Sequence, residues 1–131
     1  MGMFQSKLAV FHPAAPERAE EFELWVDRGA ACSRLSRKRL EGLGVRVSDR
    51  MEFRTIEGKV IERDVAPVFL RHDGRTGGDT VVLAGEGDLE VMGAHTLESL
   101  GLAADPVQKK LARTVAMALA GQETGSGKGA R

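Results

Sequence analysis

The chain has 131 residues, of which 42% are hydrophobic, 29% charged and 5% aromatic. This is the length of one ordinary domain, and the apolar share is sufficient to bury a core. The 19 basic and 19 acidic side chains give a formal net charge of zero, so neither a nucleic-acid-binding protein nor an acidic solvating tail is expected.

Cysteine content and hydropathy bear on the cellular compartment. The single cysteine, Cys32, has no partner for an internal disulfide, which disfavours a disulfide-stabilised secreted domain. The first residues lack the charged start and long apolar stretch of a signal peptide, and no apolar run reaches the roughly 18 residues of a membrane span. We therefore expect a soluble, cytoplasmic protein with no membrane partner.

The first part of the chain predicts strands around one short helix. Alternating apolar residues predict strands over residues 4–11 and 19–26, the second with Phe22, Leu24 and Val26 on one face. Residues 36–43 then predict a helix that begins at Ser36 as N-cap and ends at Gly44.

Further strands, turns and one more helix are predicted in the rest of the chain. The expected strands are residues 45–47, 51–55, 60–70 and 80–84, followed by a short buried run over 91–93 and a weaker apolar segment over 110–118. The expected turns are Glu57-Gly58, Asp73-Gly74, Gly77-Gly78 and Asp105-Pro106. The expected helix covers residues 95–101, with Thr96 as its cap and Gly101 as its stop.

This pattern predicts an all-β domain, a small barrel or sandwich with one or two short helices. We expect the domain to occupy residues 1–120. The Gly- and Ser-rich residues 121–131 are predicted to form a flexible tail.

Three patterns that could mark a functional site are better explained otherwise. Residues 125–128 resemble the end of a phosphate-binding loop, but Gly129 follows where Ser or Thr is required. His12, His72 and His95 lack the spacing of metal ligands, so neither a metal nor a cofactor is predicted. Cys32 has no neighbouring catalytic signature and is interpreted as a packed thiol.

The sequence around Asp27 is the most informative segment. An apolar strand ends at Val26, an acid follows, and Gly29 and Ala30 permit a sharp turn in tight surroundings. Such a turn can hold a carboxylate rigidly beside backbone donors. Taken alone, the same residues also fit an ordinary surface turn.

Residues 26–30, Val-Asp-Arg-Gly-Ala, resemble the apolar-Asp-Thr-Gly-Ala signature of the retropepsin-like aspartic proteases, the single-domain relatives of retroviral proteases. The second hallmark of that family, an apolar pair and a glycine before a short helix, is similar to Val91, Met92 and Gly93. The resemblance covers about residues 4–115. It implies a small closed or partly closed barrel of the acid-protease type.

The resemblance also implies a function and a homodimer. Asp27 would be the catalytic residue, Arg28, Gly29 and Ala30 would complete its loop, and Glu57 with Gly58 would lie in the flap that covers a peptide or protein substrate. Catalysis needs two carboxylates that share a proton. The chain has one Asp-x-Gly-Ala sequence; Asp79-Thr80 is not a second one, because Val81 follows where glycine is required. Two subunits would therefore supply one Asp27 each.

Arg28 departs from the signature, since the family has Thr or Ser at this position. In the family this hydroxyl links the two active-site loops across the dimer axis, which a guanidinium cannot do. Three outcomes follow: Arg28 turns outward and leaves a competent dimer, it pairs with Asp27 or a glutamate and silences a fold that is still dimeric, or it blocks the usual dimer and leaves a monomer. The alternative to an endopeptidase is accordingly a catalytically silent module that binds peptides or a partner.

Overall fold

The computed structural model describes residues 3–114 of the chain. The strands are β1 Gln5–Phe11, β2 Glu20–Val26, β3 Arg34–Ser36, β4 Asp49–Arg54, β5 Val60–His72, β6 Arg75–Ala84, β7 Val91–Met92, β8 Leu102–Asp105 and β9 Lys110–Arg113. The helices are α1 Arg37–Gly42 and α2 Ala94–Leu100. The predicted tail, residues 121–131, and the phosphate-loop-like residues 125–128 lie outside the described part.

Six strands form a closed ring in the order β1-β2-β7-β3-β6-β5, which is completed by antiparallel pairing of β1 with β5. Strand β4 continues the sheet beyond β5 as one arm of a hairpin. Two neighbouring pairs in the ring, β2 with β7 and β3 with β6, are parallel. The predicted all-β barrel is confirmed, and it is closed.

The interior of the ring holds the hydrophobic core. In β2, Phe22, Leu24 and Val26 are 0%, 0% and 4% exposed, whereas Glu21 and Glu23 face outward, as alternation along a half-buried strand requires. Leu40 of α1 and Leu97 and Leu100 of α2 join the same core. Burial of these apolar side chains is the main stabilising term of the fold.

Local capping and turn chemistry explain several element boundaries. The Ser36 hydroxyl accepts a hydrogen bond from the Arg39 amide at the start of α1, and Gly44 has a φ of +86° just after its end. Asp73 and Gly74 both have positive φ, 50° and 82°, as a tight hairpin turn between β5 and β6 requires. These predicted signals are confirmed.

Three local predictions are wrong, and the first two concern the ends of the helices. Residues 45–47 form no strand: the Val45 amide bonds to the carbonyl of Leu40 and closes the end of α1, so the next strand begins at Asp49. Thr96 lies within α2 rather than capping it, and Gly93 takes the cap position.

Gly77 and Gly78 lie inside β6, not in a turn, and pair with Leu70 and Phe69. A Cβ at Gly77 would lie 2.6 Å from the Ser99 hydroxyl oxygen of α2 and 3.0 Å from the Ser99 carbonyl. The absence of a side chain therefore lets the helix pack closely on the sheet.

The segment after α2 forms a separate two-stranded sheet of β8 and β9. The predicted apolar segment over 110–118 contains β9, and its remainder beyond Thr114 lies outside the described residues. Across residues 3–114, neither helix has the length and apolar character needed to cross a membrane.

Candidate active site

Asp27 directly follows Val26, the last residue of β2. The parallel pairing of β2 with β7 continues for one more bond, since the Asp27 amide donates to the Met92 carbonyl at 2.9 Å. The backbone of Asp27 is thus held by the segment of Val91, Met92 and Gly93. The structure brings together the two motifs that the sequence analysis singled out.

The loop that follows holds the Asp27 carboxylate. Its Oδ1 accepts a hydrogen bond from the Gly29 amide at 2.9 Å, and the Ala30 amide donates to the Asp27 carbonyl at 3.2 Å. A Cβ at Gly29 would lie 3.2 Å from that same Oδ1, so glycine leaves room for this conformation. Among residues 3–114 the other carboxylate oxygen, Oδ2, has no hydrogen-bond partner, which leaves it available to a ligand.

Gly93 allows α2 to dock on the Asp27 loop. The amides of Ala94 and His95 donate to the carbonyls of Ala30 and Ala31 at 2.8 and 3.0 Å. A Cβ at Gly93 would lie 2.7 Å from the Cys32 carbonyl carbon and oxygen and 2.8 Å from the Ala30 oxygen, and these backbone atoms cannot move aside. Glycine is therefore required by close approach rather than by an unusual φ.

A buried chain of hydroxyl groups supports the loop from behind. The Gly93 amide donates to Ser33 Oγ at 2.9 Å, the Ser33 hydroxyl bonds to Thr96, and Thr96 Oγ1 donates to Asp79 Oδ2 at 2.7 Å. Ser33 and Thr96 are both 0% exposed, so each needs these partners. Sequence reasoning missed this network, because a serine, a threonine and an aspartate so far apart in sequence carry no shared signal.

Cys32 is half-buried on the same loop. Burial raises the pKa of the Cys32 thiol, and the nearby Asp79 carboxylate raises it further. Both effects disfavour the thiolate. The chemistry of Cys32 therefore supports the interpretation of a packed thiol rather than a nucleophile.

A cleft of about 860 Å³ separates the Asp27 loop from the β4–β5 hairpin. The hairpin contributes Phe53, Thr55, Ile56 and Ile61 to it, and the barrel contributes Val82, Leu89 and Val91. The predicted flap residues Glu57 and Gly58 lie in the turn at the hairpin tip, where Gly58 has a φ of +89°. The cleft thus lies between the Asp27 loop and the hairpin, and its lining combines these apolar residues with the charged Asp27, Arg34, Glu52, Arg54 and Arg63.

Arg28 is exposed and lies outside the set of residues that line the cleft. Among residues 3–114 its side chain makes no ion pair and no hydrogen bond. The interpretation in which Arg28 pairs with Asp27 or with a glutamate is therefore not observed within one chain.

Metal chemistry was not predicted, and the described residues contain no group of three or more His, Cys, Asp and Glu residues that could hold a metal ion. His12 accepts a hydrogen bond from the Ala14 amide, and His72 contacts the carbonyl of Lys7.

The chain matches no protein-family model and no curated protein. Among solved structures it is similar to EIAV protease in an inhibitor complex, with 16% sequence identity, a TM-score of 0.55, and coverage of 76% of this chain and 89% of that one. The chain has the retropepsin fold. Because the sequence identity is low, this likeness shows the fold alone. The fold agrees with the resemblance of the sequence motifs to those of the retropepsin-like aspartic proteases.

Two further protease structures are similar at lower scores. The solution structure of simian foamy virus (mac) protease has 18% identity and a TM-score of 0.47, covering 71% of this chain and 92% of that one. A retropepsin-like aspartic protease from Rickettsia conorii has 20% identity and a TM-score of 0.44, covering 77% and 84%.

Proposed function

We propose that the protein is an aspartic-type endopeptidase that acts as a homodimer, with Asp27 of each subunit at the shared active site. The observation that carries this proposal is the Asp27 carboxylate, which the Gly29 amide holds through one oxygen and whose other oxygen is free within residues 3–114, in a cleft that the β4–β5 hairpin also lines. The retropepsin fold supports the same conclusion. The unpaired Cys32 is consistent with a reducing, cytoplasmic location.

The proposed chemistry needs two carboxylates and one proton between them. One ionised carboxylate accepts a proton from water, whose oxygen then attacks the carbonyl carbon of the peptide bond. The other, protonated carboxyl donates its proton to the carbonyl oxygen. Collapse of the tetrahedral intermediate breaks the C–N bond as a proton passes to the leaving nitrogen. One chain provides one such acid, so the second must come from another subunit.

Arg28 favours a second candidate function, a catalytically silent peptide-binding module. Because it directly follows Asp27, a dimer that joins two Asp27 loops brings two Arg28 side chains near its axis. Their charges repel, and burying either one without a counter-ion is unfavourable. The exposed position of Arg28 leaves room for it to turn outward, which is why we place the endopeptidase first and expect its activity to be reduced.

The test compares cleavage of an unstructured fluorogenic protein substrate by the unaltered protein and by Asp27→Asn. We expect cleavage by the unaltered protein and a loss of at least about 1,000-fold in Asp27→Asn, since the general base is removed. Asp73→Asn is the matched control, because Asp73 lies in a surface turn where asparagine is equally suited to a positive φ.

Equal cleavage by Asp27→Asn and the unaltered protein would contradict the endopeptidase proposal and would indicate a contaminating protease. Peptide binding without cleavage by either protein would support the silent module instead.

A further inference from the structure

We propose that Arg34 makes the cleft selective for peptides with an acidic side chain, an inference about substrate class that rests on the proposed peptide-directed function. Arg34 lies in β3 between β7 and β6, and its Cα partners are Val91 and Val82. Paired residues on neighbouring strands share a face of the sheet, so these three form one continuous surface. All three line the cleft.

The surroundings of Arg34 are mainly apolar and hold it in place. Val82 and Val91 are 7% and 4% exposed, while Leu35, the next residue, is buried in the core on the opposite face. The Arg34 Nε donates to the carbonyl of Leu89 at 2.7 Å. One nitrogen is thereby anchored to backbone, and the two terminal nitrogens keep their donors for a ligand.

Arg34 has no carboxylate partner within 4.0 Å among residues 3–114, although it is half-buried. When a peptide fills the cleft, water is displaced from the guanidinium, and an uncompensated charge becomes costly. A Glu or Asp side chain of the peptide supplies the counter-ion and matches the planar donor geometry.

The other charged residues along the cleft leave this preference intact. Arg54 and Arg63, on the exposed hairpin, donate to the backbone carbonyls of Gly58 and Glu62 and add positive charge. The acidic lining residues are Asp27, which the proposed reaction uses, and Glu52, which lies across from Glu62 in the hairpin. Of the three arginines, Arg34 is the half-buried one and therefore the one that can discriminate between side chains.

The experiment measures binding rather than cleavage. Fluorescein-labelled short peptides that carry a single Glu at varied positions, each matched to a peptide with Gln there, are titrated against Asp27→Asn protein by fluorescence anisotropy. At one or more positions we expect Glu to bind at least about tenfold more tightly than Gln, the ratio expected for one charge-assisted hydrogen bond.

Arg34→Gln, added to Asp27→Asn, keeps a donor for the Leu89 carbonyl but removes the charge, so the Glu/Gln ratio should fall to about one. Arg46→Gln is the matched control, since Arg46 is exposed and does not line the cleft, and it should retain the ratio. Thermal unfolding of Arg34→Gln verifies that the fold is retained.

Equal binding of Glu and Gln peptides at every position, or a Glu preference that persists in Arg34→Gln, would overturn the inference. The two proposals fail separately. Cleavage of peptides with no Glu preference would sustain the endopeptidase and refute the role of Arg34. Selective binding of Glu peptides, without cleavage by the unaltered protein, would sustain the role of Arg34 and refute the endopeptidase.

Discussion

Asp27 and Arg28 are neighbours in sequence, but their side chains lie in different surroundings. The Asp27 carboxylate is bonded to the Gly29 amide and lines the cleft, whereas Arg28 is exposed and makes no bond within residues 3–114. The fold therefore does not depend on Arg28. Its effect is expected where a second chain approaches, which makes it a matter of association and activity rather than of stability.

Substitution Arg28→Thr should strengthen dimerisation and raise kcat/KM. Two guanidinium groups roughly 4 Å apart repel by about 1 kcal/mol even in bulk water, which corresponds to about fivefold in an equilibrium constant, and by more where water is excluded. Sedimentation velocity and peptide hydrolysis measure the two effects. Arg46→Thr removes an exposed arginine outside the cleft and should change neither, while an unchanged Arg28→Thr protein would contradict the proposed position of Arg28 near the axis.

Cys32 should react slowly with iodoacetamide. Its pKa is raised by burial and by Asp79, so at pH 8 the fraction of thiolate is smaller than for a free cysteine, whose pKa is about 8.5. The alkylation rate, followed by mass spectrometry from pH 7 to 10, should stay below that of a cysteine-containing peptide and rise to its plateau at higher pH. A rate equal to that of the peptide at pH 8 would show that Cys32 is accessible and unperturbed.

Individual residues could be predicted where local sequence determines their setting. The apolar strand before Asp27 and the Gly-Ala after it indicated a held carboxylate, and Ser36, Gly44 and Gly101 marked helix ends. Arg34 and the Ser33–Thr96–Asp79 network were missed, because their environment is created by strands that are distant in the chain.

At the scale of elements, the β4–β5 hairpin and α2 together define the site. The hairpin lines one side of the cleft, and α2 supplies the amides that donate hydrogen bonds to the Asp27 loop. Alternation and turn residues predicted the hairpin correctly. The same rules misplaced a turn at Gly77-Gly78, because a glycine in a strand that accommodates a helix is locally identical to a glycine in a turn.

Substitution Gly93→Ala should destabilise the protein by about 1–3 kcal/mol, as overpacking of a close contact does. The new methyl group would meet the Cys32 and Ala30 carbonyls, which belong to the Asp27 loop. Thermal or urea unfolding measures the loss, and activity should fall with it because the loop is displaced.

Gly42→Ala is the control for this change. Gly42 ends α1, and a Cβ there would meet nothing within 4 Å, so its stability should stay the same or rise by up to about 1 kcal/mol. Equal stability of Gly93→Ala and the unaltered protein would show that the loop and α2 do not pack as closely as described.

At the scale of the whole molecule, the ring closes where β1 meets β5, through Ala9, Val10 and Phe11 paired with Arg71, Leu70 and Phe69. Strand patterns predicted a barrel or sandwich but did not determine which strands pair, because side-chain alternation specifies a face and not a neighbour. The resemblance to retropepsins supplied the barrel. The chain carries a single Asp-x-Gly-Ala sequence and so supplies one catalytic carboxylate. The proposed active unit therefore contains two chains.

The solution mass, measured by light scattering over a concentration series, tests the two-chain active site most directly. We expect a species of twice the 14.1 kDa of one chain at high concentration, with peptide hydrolysis appearing over the concentration range in which it forms. A mass of 14.1 kDa at the highest concentration would contradict the proposal of an endopeptidase that pairs Asp27 from two subunits.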